Sequence, residues 1–200
     1  PDASLRAYQF MAEGLAELPE AFAARDIAWS LRVGDPPSVV PEVVQHLAAG
    51  VIVTDLDPLR VARGWKSAVA ESVTIPVVAV ATDSIVPPST FPKLEYAART
   101  IRPKLWRKVA SEPQLLDVIP TTRTKQPQLS VHPGPDPLQV VSKLGFTQAE
   151  KPSDLRGGSV TAQVLLKSFV ADRLAAYASS RNLPDRDHTS RLSAYLHFGQ

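Results

Sequence analysis

Thr189, Ser190, Arg191 and Ser193 form the densest group of anion-binding functions in this 200-residue sequence. They precede the apolar run Tyr195-Leu196-His197-Phe198, which reads as the start of a helix. Closely spaced hydroxyls there can hold a phosphate, because a helix start presents unpaired N–H donors and the positive end of its dipole. They can equally form an ordinary N-cap, and residue chemistry alone favours the cap because caps are common. A second group is cationic: Arg99, Arg102 and Lys104 fall within six positions, and Pro103 is expected to hold Arg102 extended. It reads as a solvated basic patch able to meet phosphate. Asp55 and Asp57 are spaced like a carboxylate pair for acid–base work. The simpler reading is that Asp57 caps a helix starting at Pro58, and neither carboxylate is assigned chemistry.

Other chemistries are excluded by composition. There is no cysteine, so disulfides and thiolate metal sites are ruled out, and His46, His132, His188 and His197 lie too far apart for metal-ligand spacing. No catalytic residue and no metal ligand is assigned. Twenty-two basic against 20 acidic residues, a formal charge of +2, is too even to mark a nucleic-acid binder from charge alone. No run approaches the ~18 apolar residues of a membrane helix and no signal peptide is seen, so a soluble cytoplasmic protein with no membrane partner is expected. The chain opens on Pro1 rather than methionine and is read as a fragment.

The elements that would position these groups alternate. Apolar residues Leu5, Tyr8, Met11, Leu15, Leu18 and Phe22 predict a helix to about Arg25. Ile27 to Val33 reads as a strand closed by Gly34-Asp35-Pro36. A helix from Ser38 to Ala49 follows, with Gly50 as its C-terminal cap. Val51 to Thr54 is a strand, Asp57 to Ala70 a helix, and Val77 to Val80 a further strand. This order predicts parallel βαβ units, with ligands expected in the loops Thr54–Asp57 and Ala81–Pro87. The element usual at the start of such a sheet, a central strand, is absent ahead of the first helix. Residues 111–158 are rich in Pro, Thr, Gln and Gly and read as a linker with one short helix at Pro137–Leu144. Val160 to Ser180 then reads as one helix, with Val164, Leu165, Phe169, Leu174 and Tyr177 on or near one face. Trp29, Trp65 and Trp106 fall in the α/β half.

The segment Thr189-Ser-Arg-Leu-Ser-Ala-Tyr-Leu-His-Phe-Gly199 resembles the flavin-phosphate pattern of the photolyase/cryptochrome family, Thr/Ser-Ser-x-Leu-Ser-Pro-Tyr-Leu-x-Phe-Gly. Ala194 replaces the usual proline. Glu95-Tyr-Ala-Ala-Arg-Thr-Ile-Arg-Pro-Lys104 is similar to a string of class II cyclobutane-pyrimidine-dimer photolyases, where its role is mainly structural. Val53-Thr-Asp-Leu-Asp-Pro-Leu-Arg60 and Arg6 to Leu15 also resemble class II segments. Ala81-Thr-Asp-Ser84 departs from the family's Asp-Ala-His-Asn, and the acidic residue of the family's Pro-Gly-Glu entry to the long helix is absent at Gly157-Gly158.

The resemblance implies a Rossmann-like α/β domain over 1–110 with its first strand missing, a linker over 111–158, and the start of an all-helical FAD domain over 159–200. It implies FAD as cofactor, held by Tyr177, Thr189, Ser190, Leu192 and Ser193, and an antenna chromophore as a further ligand. It implies a light-driven DNA repair enzyme, a deoxyribodipyrimidine photo-lyase, that splits pyrimidine dimers by photoinduced electron transfer. UV-damaged DNA would be the partner and a monomer the expected state. The 200 residues alone are expected to be inactive. A cryptochrome-like photosensor, or a relative without repair, is the alternative.

Overall fold

The computed structural model describes residues 4–82, 84–116, 131–146 and 155–200, which divide into two compact units. One joins Pro1–Arg32 to Arg123–Gln200, and the other is Val33–Thr122.

In the Val33–Thr122 unit, the β-branched runs form strands β1 (Ile52–Asp55) and β2 (Val77–Val80). They pair in parallel with Ile52 opposite Val77 and Asp55 opposite Val80. Helix α2 (Pro36–Leu47) precedes β1, and α3 (Arg60–Ser72) supplies the crossover that parallel strands need. The two helices pack together, and Val40, Ile52, Trp65, Val69 and Val77 wall a cavity of about 230 Å³ beside the sheet. Two local expectations are corrected. The left-handed residue that ends α2 is Ala48, at φ 48°, and not Gly50. Asp57 does not cap a helix at Pro58: α3 begins at Arg60, and Asp57 Oδ1 accepts from the Leu59 N–H at 2.8 Å in the preceding turn. Helix α4 (Ala98–Ser111) follows, with Pro103 inside it. Arg102 is therefore helical, not extended. Proline costs α4 a backbone donor but does not end it here.

The other unit is helical: α1 (Leu5–Ala23), α5 (Pro137–Ser142), α6 (Ser159–Ser168), a π turn over Phe169–Arg173, α7 (Leu174–Ser180) and α8 (Ser193–Phe198). The expected strand at Ile27–Val33 is not formed. A strand needs a ladder partner, and this segment's backbone is instead held by a loop. The Leu31 N–H donates to the Pro133 carbonyl at 2.8 Å, and the Ser30 hydroxyl to that of His132 at 2.7 Å. Gly134, at φ 88°, makes this approach possible, since a Cβ there would lie 2.0 Å from the Leu31 carbonyl oxygen. Among the described residues the sheet is β1 and β2 alone.

The core of this unit joins its two ends. Phe10 of α1, Ala162 of α6 and Tyr195 of α8 are buried together, with Leu165, Leu192 and Phe198 around them. The Phe10 and Tyr195 rings meet edge-on at 4.9 Å, a favoured aromatic geometry. Gly158 opens α6 without a capping side chain, so α1 caps it from outside. Glu13 Oε2 accepts from the Gly157 N–H at 2.6 Å, and Glu17 Oε2 from that of Val160 at 3.2 Å. The acidic residue that the local sequence lacks thus comes from about 140 positions away. Gln200 completes the clamp, accepting from the Gly158 N–H at 2.6 Å and donating to the Phe10 carbonyl at 3.2 Å. Gly157 is required by this crossing, because an added Cβ would lie 2.1 Å from the Phe10 carbonyl oxygen. Gly157→Ala should cost about 1–3 kcal/mol through overpacking against backbone, read as a lower denaturant midpoint at unchanged slope. No described helix is long and apolar enough to cross a membrane.

Candidate functional site

The loop between α7 and α8 carries three of the five residues that the sequence singles out, Thr189, Ser190 and Leu192, and a fourth, Ser193, opens α8. Within the loop, Arg191 has φ 58°, a strained value for a residue with a Cβ. It is held there by a bidentate pair with Asp187, at 2.8 and 3.2 Å. Asp187 also faces Arg173 at 3.7 Å. Arg173 closes the π turn and donates to the Ser168 hydroxyl at 3.3 Å, which in turn donates to Asp172 at 3.1 Å. π turns often mark functional positions. Here the turn directs Arg173 toward the loop, so two guanidinium groups converge on one carboxylate.

The hydroxyls divide by role. Ser190 Oγ accepts from the Leu192 N–H at 3.3 Å, a turn contact, while Leu192 itself stands at the N-cap of α8 with no side-chain cap. Thr189 and Ser193 spend no hydroxyl on protein partners among the described residues, so the loop is not an ordinary capping arrangement. His188 Nδ1, next in sequence to Thr189, is buried without a hydrogen-bond partner among the described residues. Unused hydroxyls and two guanidinium groups that share the single Asp187 carboxylate leave this loop with a net positive charge, which suits a phosphate-bearing ligand. With only six residues in α8, side chains rather than a long helix dipole carry that fit. Leu192 turns inward onto the Phe10–Tyr195 core.

Tyr177 lies elsewhere. Its ring meets Phe169 edge-on at 5.5 Å and lies 5.5 Å beneath the Arg181 guanidinium. It stands one turn after Arg173 on the same helical run, so the ion pairs through Asp187 are what link its helix to the loop. Sequence reasoning missed Arg173 and Asp187. The Asp187–Arg191 spacing of four was visible, but the approach of Arg173 depends on the π turn. A groove of about 210 Å³ between α6 and α8, walled by Ala162, Gln163, Leu166, Leu192 and Leu196, is smaller than the ~300–1,000 Å³ of ordinary cofactor pockets.

Tyr195 anchors α8 to the core. Its hydroxyl donates to the Arg156 carbonyl at 2.6 Å. Burial, and then the nearby Glu13 carboxylate, push its pKa above the usual tyrosine value.

The loops after the strands hold a second concavity, about 520 Å³, lined by Leu56, Asp57, Arg63, Lys66, Ser67 and Ser84 among others. Asp83 lies outside the described residues. Lys66 Nζ donates to the carbonyls of Asp55 and Asp57 at 2.8 and 3.1 Å, and Asp55 Oδ1 accepts from the Thr82 hydroxyl at 2.6 Å. The two carboxylates thus serve separate structural contacts. In the basic segment, Glu95 pairs with Lys104. That hydrogen bond first, and one from Thr100 second, hold the Glu95 carboxyl below its ordinary pKa.

Comparison with known proteins bears on these features together. Residues 2–128 match the family described as DNA photolyase. The chain is 31% identical over its whole length to a deoxyribodipyrimidine photo-lyase of Methanothermobacter thermautotrophicus, of which it covers 44%. It is 33% identical, over 99% of its length, to that of Potorous tridactylus, of which it covers 38%. The chain therefore spans under half the length of these relatives. Among solved structures, a cryptochrome from Synechocystis is similar over 98% of this chain and 42% of its own, at a TM-score of 0.70 and 16% identity. That likeness speaks to fold, and agrees with a Rossmann-like α/β region. The matched residues include both strands, their crossover helix and the Glu95–Lys104 segment, and on them the chain belongs to the DNA photolyase family.

Proposed function

We propose that this chain is the N-terminal part of a class II-like photolyase that uses reduced FAD and light to split cyclobutane pyrimidine dimers in DNA. The match of residues 2–128 to the DNA photolyase family carries the reading. The three-part division at 110 and 158 belongs to it, with the segment from 159 opening a helical flavin domain. Flavin, when bound, supplies photochemical electron transfer, while protein supplies position and electrostatics. In this chain Thr189, Ser190 and Ser193 would hold the phosphates by their hydroxyls, Arg191 would add charge, Leu192 would fix the loop to the core, and Tyr177 would contribute its phenol. An antenna chromophore would take the concavity beyond β1 and β2. The protein would act as a cytoplasmic monomer, and these 200 residues alone would be inactive.

The test is to express the full reading frame that carries this chain and measure visible absorption and light-dependent reversal of thymine dimers. A flavin spectrum with reversal is the expected result. Flavin without reversal would leave a photosensor, and absence of flavin would overturn both.

A further inference from the structure

Helix α4 presents a face that neither the flavin loop nor the fold employs. Its cations are of two kinds. Lys104 pairs with Glu95 and Lys108 with Glu112, so that side is neutral. Arg99, Arg102 and Arg107 are exposed and have no acidic partner among the described residues. Residues three and four apart share a helix face, so Arg99, Arg102 and Trp106 stand together with Arg107 at their flank. Half-buried Ile101 and Leu105 border Arg102, and half-buried Val109 follows one turn after Trp106. Trp106 is 68% exposed, and Tyr96, just ahead of the helix, is 90% exposed. Trp106 thus stands with Arg99 and Arg102 on α4 with its indole open to solvent, where large aromatics otherwise favour burial.

We infer that this face binds a single strand of nucleic acid, with the three arginines on its phosphates and Trp106 stacked on an unpaired base. Charge complementarity selects the occupant. An apolar partner would bury three guanidinium groups without counter-charge, which is costly, so the partner must bring negative charge. The indole asks in addition for a flat π surface, and guanidinium and aromatic groups both stack on bases. Arg99 to Arg107 spans about 12 Å at 1.5 Å per residue. Strand phosphates spaced about 3.4 Å along a duplex axis, and farther apart when extended, place roughly two or three within that reach. A duplex keeps its bases stacked inside, so an exposed indole favours an unpaired strand. The inference rests on the repair reading only in taking DNA as the strand.

The test uses the full reading frame in the dark with an undamaged, fluorescein-labelled twelve-residue oligothymidylate, following anisotropy across salt concentrations. Neither light, lesion nor flavin enters, so its failure is distinct from a failure of the repair reading. The triple variant R99A/R102A/R107A should lose on the order of tenfold to a hundredfold in affinity at low salt. Its log–log salt slope should be shallower by about 2, since each single-strand phosphate contributes roughly 0.7. Trp106→Ala should lose about tenfold with an unchanged slope, and Trp106→Phe should retain most of the affinity, as stacking predicts. Lys104→Ala with Lys108→Ala should stay near wild type. Circular dichroism checks that each variant folds. Wild-type affinity and slope in the triple variant would overturn the inference. So would no effect of Trp106→Ala, or displacement of the oligonucleotide by polyglutamate as readily as by unlabelled oligothymidylate, which would assign the face to an acidic protein segment.

Discussion

Replacing Tyr195 by alanine should remove about 3–5 kcal/mol of stability, the usual cost of deleting a large buried aromatic. That is comparable to the whole stability of many domains, about 5–15 kcal/mol. The ring is 1% exposed, touches Phe10 at 4.9 Å, and joins α8 to α1 and α6. Its loss would leave a cavity between elements from both ends of the chain. Tyr195→Phe separates packing from polarity: it keeps the ring and leaves the Arg156 carbonyl without the 2.6 Å donor. Because Arg156 is exposed, water can take the donor's place, and the change should cost about 0.5–1.5 kcal/mol, the net worth of one hydrogen bond. Denaturant unfolding followed by circular dichroism would show the ranking. Equal stability of Tyr195→Ala and wild type would mean that the α1–α6–α8 core is not a structural unit. Tyrosine deprotonation is also opposed by the fold. Because the folded pKa lies above the unfolded one, this contribution is full below the ordinary tyrosine range and is lost as pH rises through the folded value.

Removing both free hydroxyls, Thr189→Ala with Ser193→Ala, should cost the complete protein most of its flavin while leaving it folded. Hydrogen bonds to charged groups are worth about 1.5–3 kcal/mol each, or roughly 10- to 150-fold in affinity per hydroxyl. Their hydroxyls make no hydrogen bond to protein among the described residues, so their truncation should leave the melting temperature within about 2 °C of wild type. Ser190→Ala is the contrasting case. Its oxygen accepts from the Leu192 N–H, so loop order and flavin content should fall together. The measurement is bound flavin per protein from absorbance, with titration of added FAD. Wild-type flavin content in the double variant would remove the loop from the cofactor site.

What could be read ahead of the structure follows how local each feature is. The run from Val160 to Ser180 was legible as helix because its apolar positions recur, and the wider gap between Phe169 and Leu174 is where the π turn falls. Tyr177 and the 189–193 loop were each visible, but what links them, Arg173 through Asp187, depends on that turn's extra residue. Ile27–Val33 has the composition of a strand. Composition cannot say whether a ladder partner will be present, and the loop at His132–Pro133 meets its hydrogen bonds instead. Pro103 argued for extended backbone at Arg102, a local preference that the helix around it overrides. The cap on α6 was out of reach for the plainest reason. Its carboxylates sit 143 and 144 positions upstream, where no window of sequence would look for them.

That distant cap has a consequence for how the protein is made. Synthesis proceeds at about 5–20 residues per second, so Phe10 leaves the ribosome roughly 10–40 s before Tyr195 does. For that interval α1 carries an apolar stripe and two carboxylates whose partners have not been polymerised. The helical unit cannot close until the segment ending at Gln200 has cleared the exit tunnel. A stalled or prematurely released chain would therefore present α1 as a sticky amphipathic helix, which is the form that chaperones and proteases would meet first.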